Sequence, residues 1–181
     1  ALPFLVLLGG SADVAALGSD FLVTALRAPS YPQFIYSFAA RVNAAGVVLD
    51  PTPLLVGSSY ATRARVTTLG NRWMVVTESH WSHDANQAGV LFTFVDAAGN
   101  VSSETSAGIY NVQVRGSLDV ASSGANALIV CPTGSNWTNT EVQAALVEAD
   151  GTLRFTNRVL TGYAGMGQFR PTVTFDGRNY L

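Results

Sequence analysis

The sequence predicts an all-β chain of repeated four-stranded units, and three observations predict it. The first is a pair of interleaved glycine series sharing one period. Gly18, Gly70, Gly124 and Gly177 are 52, 54 and 53 residues apart, and Gly46, Gly99 and Gly151 are 53 and 52 apart. The second is that a β-branched or aromatic run begins three residues after each glycine of the first series: Phe21 to Ala25, Trp73 to Thr77, Ala127 to Cys131 and, in part, Tyr180-Leu181. The third is that no stretch of ten or more residues carries a 3.6-residue apolar stripe free of Gly and Pro, which leaves helix without support. Four antiparallel strands at a period near 50 residues are the signature of a β-propeller blade. The expected fold is therefore a partial β-propeller of about three and a half four-stranded blades, each of about 53 residues.

Each element follows from its place in the period. Ala1 to Leu8 aligns with Pro53 to Val56, so residues 1–10 read as the last strand of a preceding blade. Blades then occupy 11–62, 63–116 and 117–169, and 170–181 begins a further one. Within a blade, the x-Gly pair of the first series joins strands one and two, because a tight hairpin needs a positive φ that only Gly adopts without steric cost. Strand three occupies Ser37 to Asn43, Val90 to Asp96 and Val142 to Glu148. The glycine of the second series follows, where a type I turn ends in a left-handed residue. About fourteen or fifteen strands and no helix longer than two turns are expected. Closed propellers have typically four to eight blades, so the ring is expected to be completed by remaining blades of the same chain or by a second chain.

Composition removes several function classes. The 181 residues include 10 Arg and no Lys against 12 Asp plus Glu, for a formal charge of −2. A hydrophobic fraction of 48% with little net charge excludes disorder. The absence of clustered cationic excess argues against a nucleic-acid partner. Cys131 has no second cysteine to bridge, and no Cys/His set has zinc-finger spacing; no cofactor signature is present. The apolar run Ala1 to Leu8 is too short to insert across a membrane and lacks the basic flank of a signal peptide.

Two stretches carry a resemblance. Pro171-Thr172-Val173 followed by Asp176-Gly177-Arg178-Asn179-Tyr180-Leu181 resembles the P-x-V-x-x-D-G-x-x-Y-L-V-V-W opening of a repeat found in large secreted or surface β-propeller proteins of bacteria. Ile35-Tyr36, Ala40-Arg41-Val42 and Gly46-Val47-Val48-Leu49-Asp50-Pro51 resemble the same repeat's I-Y-x-x-R-V-x-x-x-G-x-V-L-D-P half. The resemblance implies a propeller fold and an extracellular or cell-surface location. It implies little about activity, since one propeller scaffold hosts unrelated functions.

Strand alternation sends the glycine turns to one end of every blade and the long connections to the other. These connections are Arg27 to Gln33, Gly57 to Arg63, Ser79 to Ala88, Pro132 to Glu141 and Thr161 to Arg170. They hold Tyr31, Tyr60, His80, Trp81, His83, Trp137 and Tyr163, together with Phe169. Rings set among small polar residues suit a glycan or protein partner, with packing over the blade ends as the alternative use. His80-Trp81-Ser82-His83-Asp84 lacks the third histidine of an all-imidazole zinc centre and is not assigned as a metal site. Glu78, Asp84, Glu104 and Glu141 are the carboxylates considered for catalysis; none recurs at equivalent repeat positions, so no catalytic residue is assigned. Arg63, Arg65 and Arg72 read as a hydrated strand edge. Asn100-Val101-Ser102 and Asn136-Trp137-Thr138 match the N-glycosylation pattern, about as often as chance allows with ten Asn. The expected function is a binding or scaffolding module working through the long-connection end, with a fragment of a propeller glycoside hydrolase as the alternative.

Overall fold

A computed structural model describes residues 12–30, 34–57, 60–80, 88–112, 118–134, 140–162 and 170–181. Twelve strands form three antiparallel four-stranded sheets, each in sequential order, with no helix among the described residues. The first sheet holds β1 (Ala12–Leu17), β2 (Asp20–Ser30), β3 (Phe34–Val42) and β4 (Leu54–Gly57). The second holds β5 (Ala61–Leu69), β6 (Arg72–His80), β7 (Ala88–Asp96) and β8 (Thr105–Tyr110), and the third β9 (Asp119–Ser122), β10 (Asn126–Thr133), β11 (Glu141–Glu148) and β12 (Leu153–Gly162). Of the fourteen or fifteen strands expected, one falls in 1–10, outside the described residues. The start of the further blade forms a single Phe175–Tyr180 bridge.

The glycine turns lie where the period puts them. Gly70-Asn71 closes the β5–β6 hairpin between the paired Leu69 and Arg72, and Gly70 has φ +61°, the left-handed conformation that a Cβ disfavours. Gly18 is equivalent, between Leu17 and Asp20. In the second series Gly99 donates its N–H to Asp96 O at 3.0 Å, closing a tight turn that Gly46 and Gly151 repeat on Asn43 and Glu148.

The sheets stack face to face with β1, β5 and β9 as successive inner strands. Between the first and second lie Leu22, Ala39, Val56, Val66, Trp73, Val75 and Val95. Trp73 is fully buried and donates its indole N–H to Ala15 O of the preceding sheet at 3.0 Å, so the one polar atom of a large apolar side chain is satisfied across the seam. Between the second and third lie Met74, Val76, Phe92 and Phe94 against Ala127, Ile129, Cys131 and Ala145. Alternate residues of β6 thus serve opposite neighbours: Trp73 and Val75 face the first sheet, Met74 and Val76 the third. Burial on both faces explains why these strands read as continuous apolar runs rather than alternating ones.

At the turn end the sheets are also clamped by polar contacts. Arg41 holds Asp50 through Nε and Nη2, the latter at 2.6 Å, and extends Nη1 to Ala97 O of the next sheet. Arg72 donates to Ala149 O at 2.6 Å while its guanidinium lies over Phe94, 3.8 Å from the ring centroid.

Candidate functional site at the long-connection end

Strand register settles which connections share an end. β2–β3, β6–β7 and β10–β11 all join at the end away from the glycine turns, and so do the links from β4 to β5, β8 to β9 and β12 onward. Burial differs along the strands. Of the nine buried polar or charged residues among those described, six (Ser37, Thr77, Glu78, Ser79, Thr133 and Thr140) sit at this end. Among the described residues, the apolar core therefore gives way to a polar layer at this end of the strands and nowhere else to that extent.

Of the predicted site residues, Tyr60 and His80 fall among those described. Tyr60 is half-buried immediately before β5 and has φ +69°. For a bulky side chain this is a strained conformation costing about 1–2 kcal/mol, of the kind retained where surrounding contacts over-determine the backbone. His80 closes β6, in register with Ala88. Tyr31, Trp81, His83, Trp137, Tyr163 and Phe169 lie outside the described residues, as does Asp84.

The remaining carboxylate candidates do not converge. Glu78 is fully buried on β6, Glu141 is exposed at the start of β11, and Glu104 precedes β8 at the opposite, turn end. The arginines depart from the expected hydrated edge. Arg63 Nε lies 3.4 Å from Glu78 Oε2, Arg65 Nε lies 3.8 Å from Asp119 Oδ1, and Arg72 is engaged at the other end of the sheet. Each therefore serves a partner within the blade stack. Burial pushes the Cys131 thiol well above its ordinary pKa, and the negative charge of Glu78 pushes it further. That thiol stays protonated and unreactive at neutral pH.

One recurrence escaped the sequence reading. Asp13, Arg65 and Asp119 occupy equivalent positions on β1, β5 and β9, each five residues before its hairpin glycine (Gly18, Gly70 and Gly124) and paired with Thr24, Val76 and Val130. Asp13 Oδ2 accepts from Val66 N, and Asp119 Oδ2 from Val173 N, both at 2.9 Å. A carboxylate on one inner strand thus caps an amide on the next, which ties successive blades together near the ring axis. The signal was present as two Asp-Val pairs 106 residues apart, twice the period, with Arg65-Val66 between them.

No three His, Cys, Asp or Glu side chains come together as a metal site among the described residues. No helix there is long and apolar enough to cross a membrane, which says nothing of β-barrels.

No protein-family model matches this sequence, and no curated protein does. Solved structures do match in fold. An α-L-arabinofuranosidase from Lactobacillus brevis superposes with a TM-score of 0.55 at 9% identity, covering 93% of this chain and 62% of that one. An α-L-arabinofuranosidase from Podospora anserina, solved in complex with cellotriose, gives 0.50 at 11% identity, covering 93% and 54%. The chain spans less than two thirds of either structure. At such identities the likeness concerns the fold alone, and with the three meandering sheets it makes this chain a partial β-propeller.

Proposed function

We propose that the protein is an extracellular or cell-surface propeller module that recognises a glycan, without catalysis, through its long-connection end. The observation that supports this best is the polar layer at that end: six buried polar residues at the strand ends from which the connections that carry the aromatic candidates depart. Recognition sites of this kind combine apolar platforms with a few fixed polar groups. Tyr60, held at φ +69° beside this layer, and His80, at the end of β6, are the described residues assigned to ligand contact. No nucleic-acid partner, membrane insertion or cofactor is assigned, and a protein partner is the alternative occupant of the same end.

The second reading, part of a propeller glycoside hydrolase, draws on the two fold neighbours, both α-L-arabinofuranosidases. Against it, Asp13 and Asp119 both spend a carboxylate oxygen on a neighbouring strand's amide, and Asp119 also faces Arg65. A free acid and a free base in mutual reach are what hydrolysis needs. A glycan array and a hydrolysis assay on aryl α-L-arabinofuranoside separate the readings. The binding reading expects saturable glycan binding, weakened by Tyr60→Ala, and no turnover. Turnover abolished by Asp13→Asn or Asp119→Asn would overturn it.

A further inference from the structure

The inner strand of the second blade is irregular where it leaves the long-connection end. Tyr60 is left-handed at φ +69°, and just after it the β5–β6 pairing slips, with Ala61 opposite Ser79 but Arg63 opposite Glu78. Thr62 is the extra residue of this bulge, and its hydroxyl donates to Glu78 O at 3.5 Å. In a regular strand Ala61 and Ala64 would face opposite sides. The bulge instead buries both against Leu26 of the first sheet and turns Arg63 to the other face.

Arg63 meets Glu78 there. Its Nε lies 3.4 Å from Glu78 Oε2, and the carboxylate side chain is fully buried whereas the arginine side chain is 29% exposed. Both charges act on the Cys131 thiol of β10, so the pair stands on the side of the third sheet. Among the described residues, no acceptor takes a hydrogen bond from either Nη of Arg63. One edge of the guanidinium is thus held from beneath by a buried carboxylate, and the other edge is unspent. A planar fork fixed in this way has lost its rotamer freedom before any ligand arrives.

We infer that the unspent edge of Arg63 binds the carboxylate of an acidic sugar, of the uronic-acid class, an assignment that rests on the glycan reading above and narrows it. A guanidinium only donates hydrogen bonds, and a carboxylate only accepts them, two at once in the fork's own geometry. A sugar hydroxyl brings a hydrogen of its own that needs an acceptor, and the carboxylate beside the fork, that of Glu78, is buried behind it. Because Glu78 already balances its charge, the arginine offers aligned donors rather than net positive charge, which favours one well-placed carboxylate over a polyanion held by charge density.

The test is a glycan array, probed with the 181-residue chain, that pairs each uronic-acid oligosaccharide with its carboxyl-reduced counterpart and includes sulfated neutral oligosaccharides. Calorimetry on the best pair gives the affinities. The acidic member is expected to bind at least about tenfold more tightly than its reduced partner, as befits a hydrogen bond to a charged group. Arg63→Lys keeps a cation against Glu78 but loses the fork, and should erase about tenfold of that preference while binding of the reduced partner stays within about twofold. A second variant, Arg63→Met with Glu78→Gln, removes the cation without leaving a buried charge unmatched, and should abolish the preference while the circular-dichroism spectrum stays that of the wild type. Equal affinity for the acidic and reduced partners, or tighter binding of the sulfated oligosaccharides, overturns the acidic-sugar assignment and leaves the glycan reading standing. An array on which nothing binds overturns both.

Discussion

Gly46 and Gly99 offer a clean measure of how much the turn-end clamp contributes. Both have positive φ, +77° and +90°, so alanine at either carries the left-handed cost of about 1–2 kcal/mol. They differ in surroundings. A Cβ on Gly46 meets nothing within 4 Å, whereas one on Gly99 lands 2.7 Å from Arg41 Nη2 and 2.8 Å from its Cζ. A guanidinium usually moves aside cheaply, but this one is fixed by Asp50, which is 7% exposed, and by Ala97 O. Displacing it breaks hydrogen bonds to a charged group worth about 1.5–3 kcal/mol. Gly99→Ala is therefore expected to cost about 3–5 kcal/mol in total against about 1–2 for Gly46→Ala. At about 2–4 °C per kcal/mol for a chain of this size, the 1.5–3 kcal/mol difference separates the two thermal midpoints by roughly 3–12 °C.

Acid supplies a second readout. Burial pushes the Asp50 carboxyl up, but its side-chain and backbone hydrogen bonds with Arg41 outweigh burial and hold its pKa below 3.8. A carboxylate with a depressed folded pKa stabilises above the unfolded value and loses that contribution as pH falls through the folded one. The gap between wild type and Gly99→Ala should accordingly narrow below pH 3.8, while the cost of Gly46→Ala stays constant. Urea melts across that range measure both. Equal costs at neutral pH, or a Gly99→Ala cost unchanged when Arg41 is also replaced by Ala, would refute the clamp, because coupled sites must show non-additivity.

Three further outcomes follow from the seams. Trp73→Ala should destabilise by about 3–5 kcal/mol in chemical denaturation, and Trp73→Phe by less, the remainder tracing to Ala15 O left without its donor. Gly57→Ala, where φ is not the obstacle, should cost about 1–3 kcal/mol because the new Cβ lies 2.7 Å from Ser37 Cβ and 3.0 Å from Thr77 Cγ2, and Ser37→Gly should restore the first part only. Asp13→Ala and Asp119→Ala should each expose one inner-strand amide, Val66 and Val173 respectively, read as faster hydrogen exchange at that residue with a stability loss of about 1 kcal/mol.

The repeat was legible because the turn chemistry admits few residues. A left-handed position between two strands selects glycine so strongly that four Gly at one phase and three at another define the unit without any alignment. The apolar runs were legible as strands but not as two-faced seams. Which of Trp73 and Met74 faces which neighbour depends on stacking, which a single strand's composition does not encode.

Charged positions were the least legible, for a related reason. Glycine recurs in kind because the constraint is steric and identical in every blade. The inner-strand position recurs only in place: Asp13 and Asp119 meet it by accepting from the next strand's amide, while Arg65 meets it by pairing with Asp119. Opposite charges satisfy one geometric slot, so a search for repeated carboxylates passes over a column that reads acid, base, acid. The same logic misassigned Arg63, Arg65 and Arg72. As a local group they resemble a cationic strand edge, but each is separately matched by a group on its own or the adjoining blade. In a stack of sheets with so few charges, an arginine is spent where a strand or turn presents an acceptor, and its sequence neighbours carry no information about that acceptor.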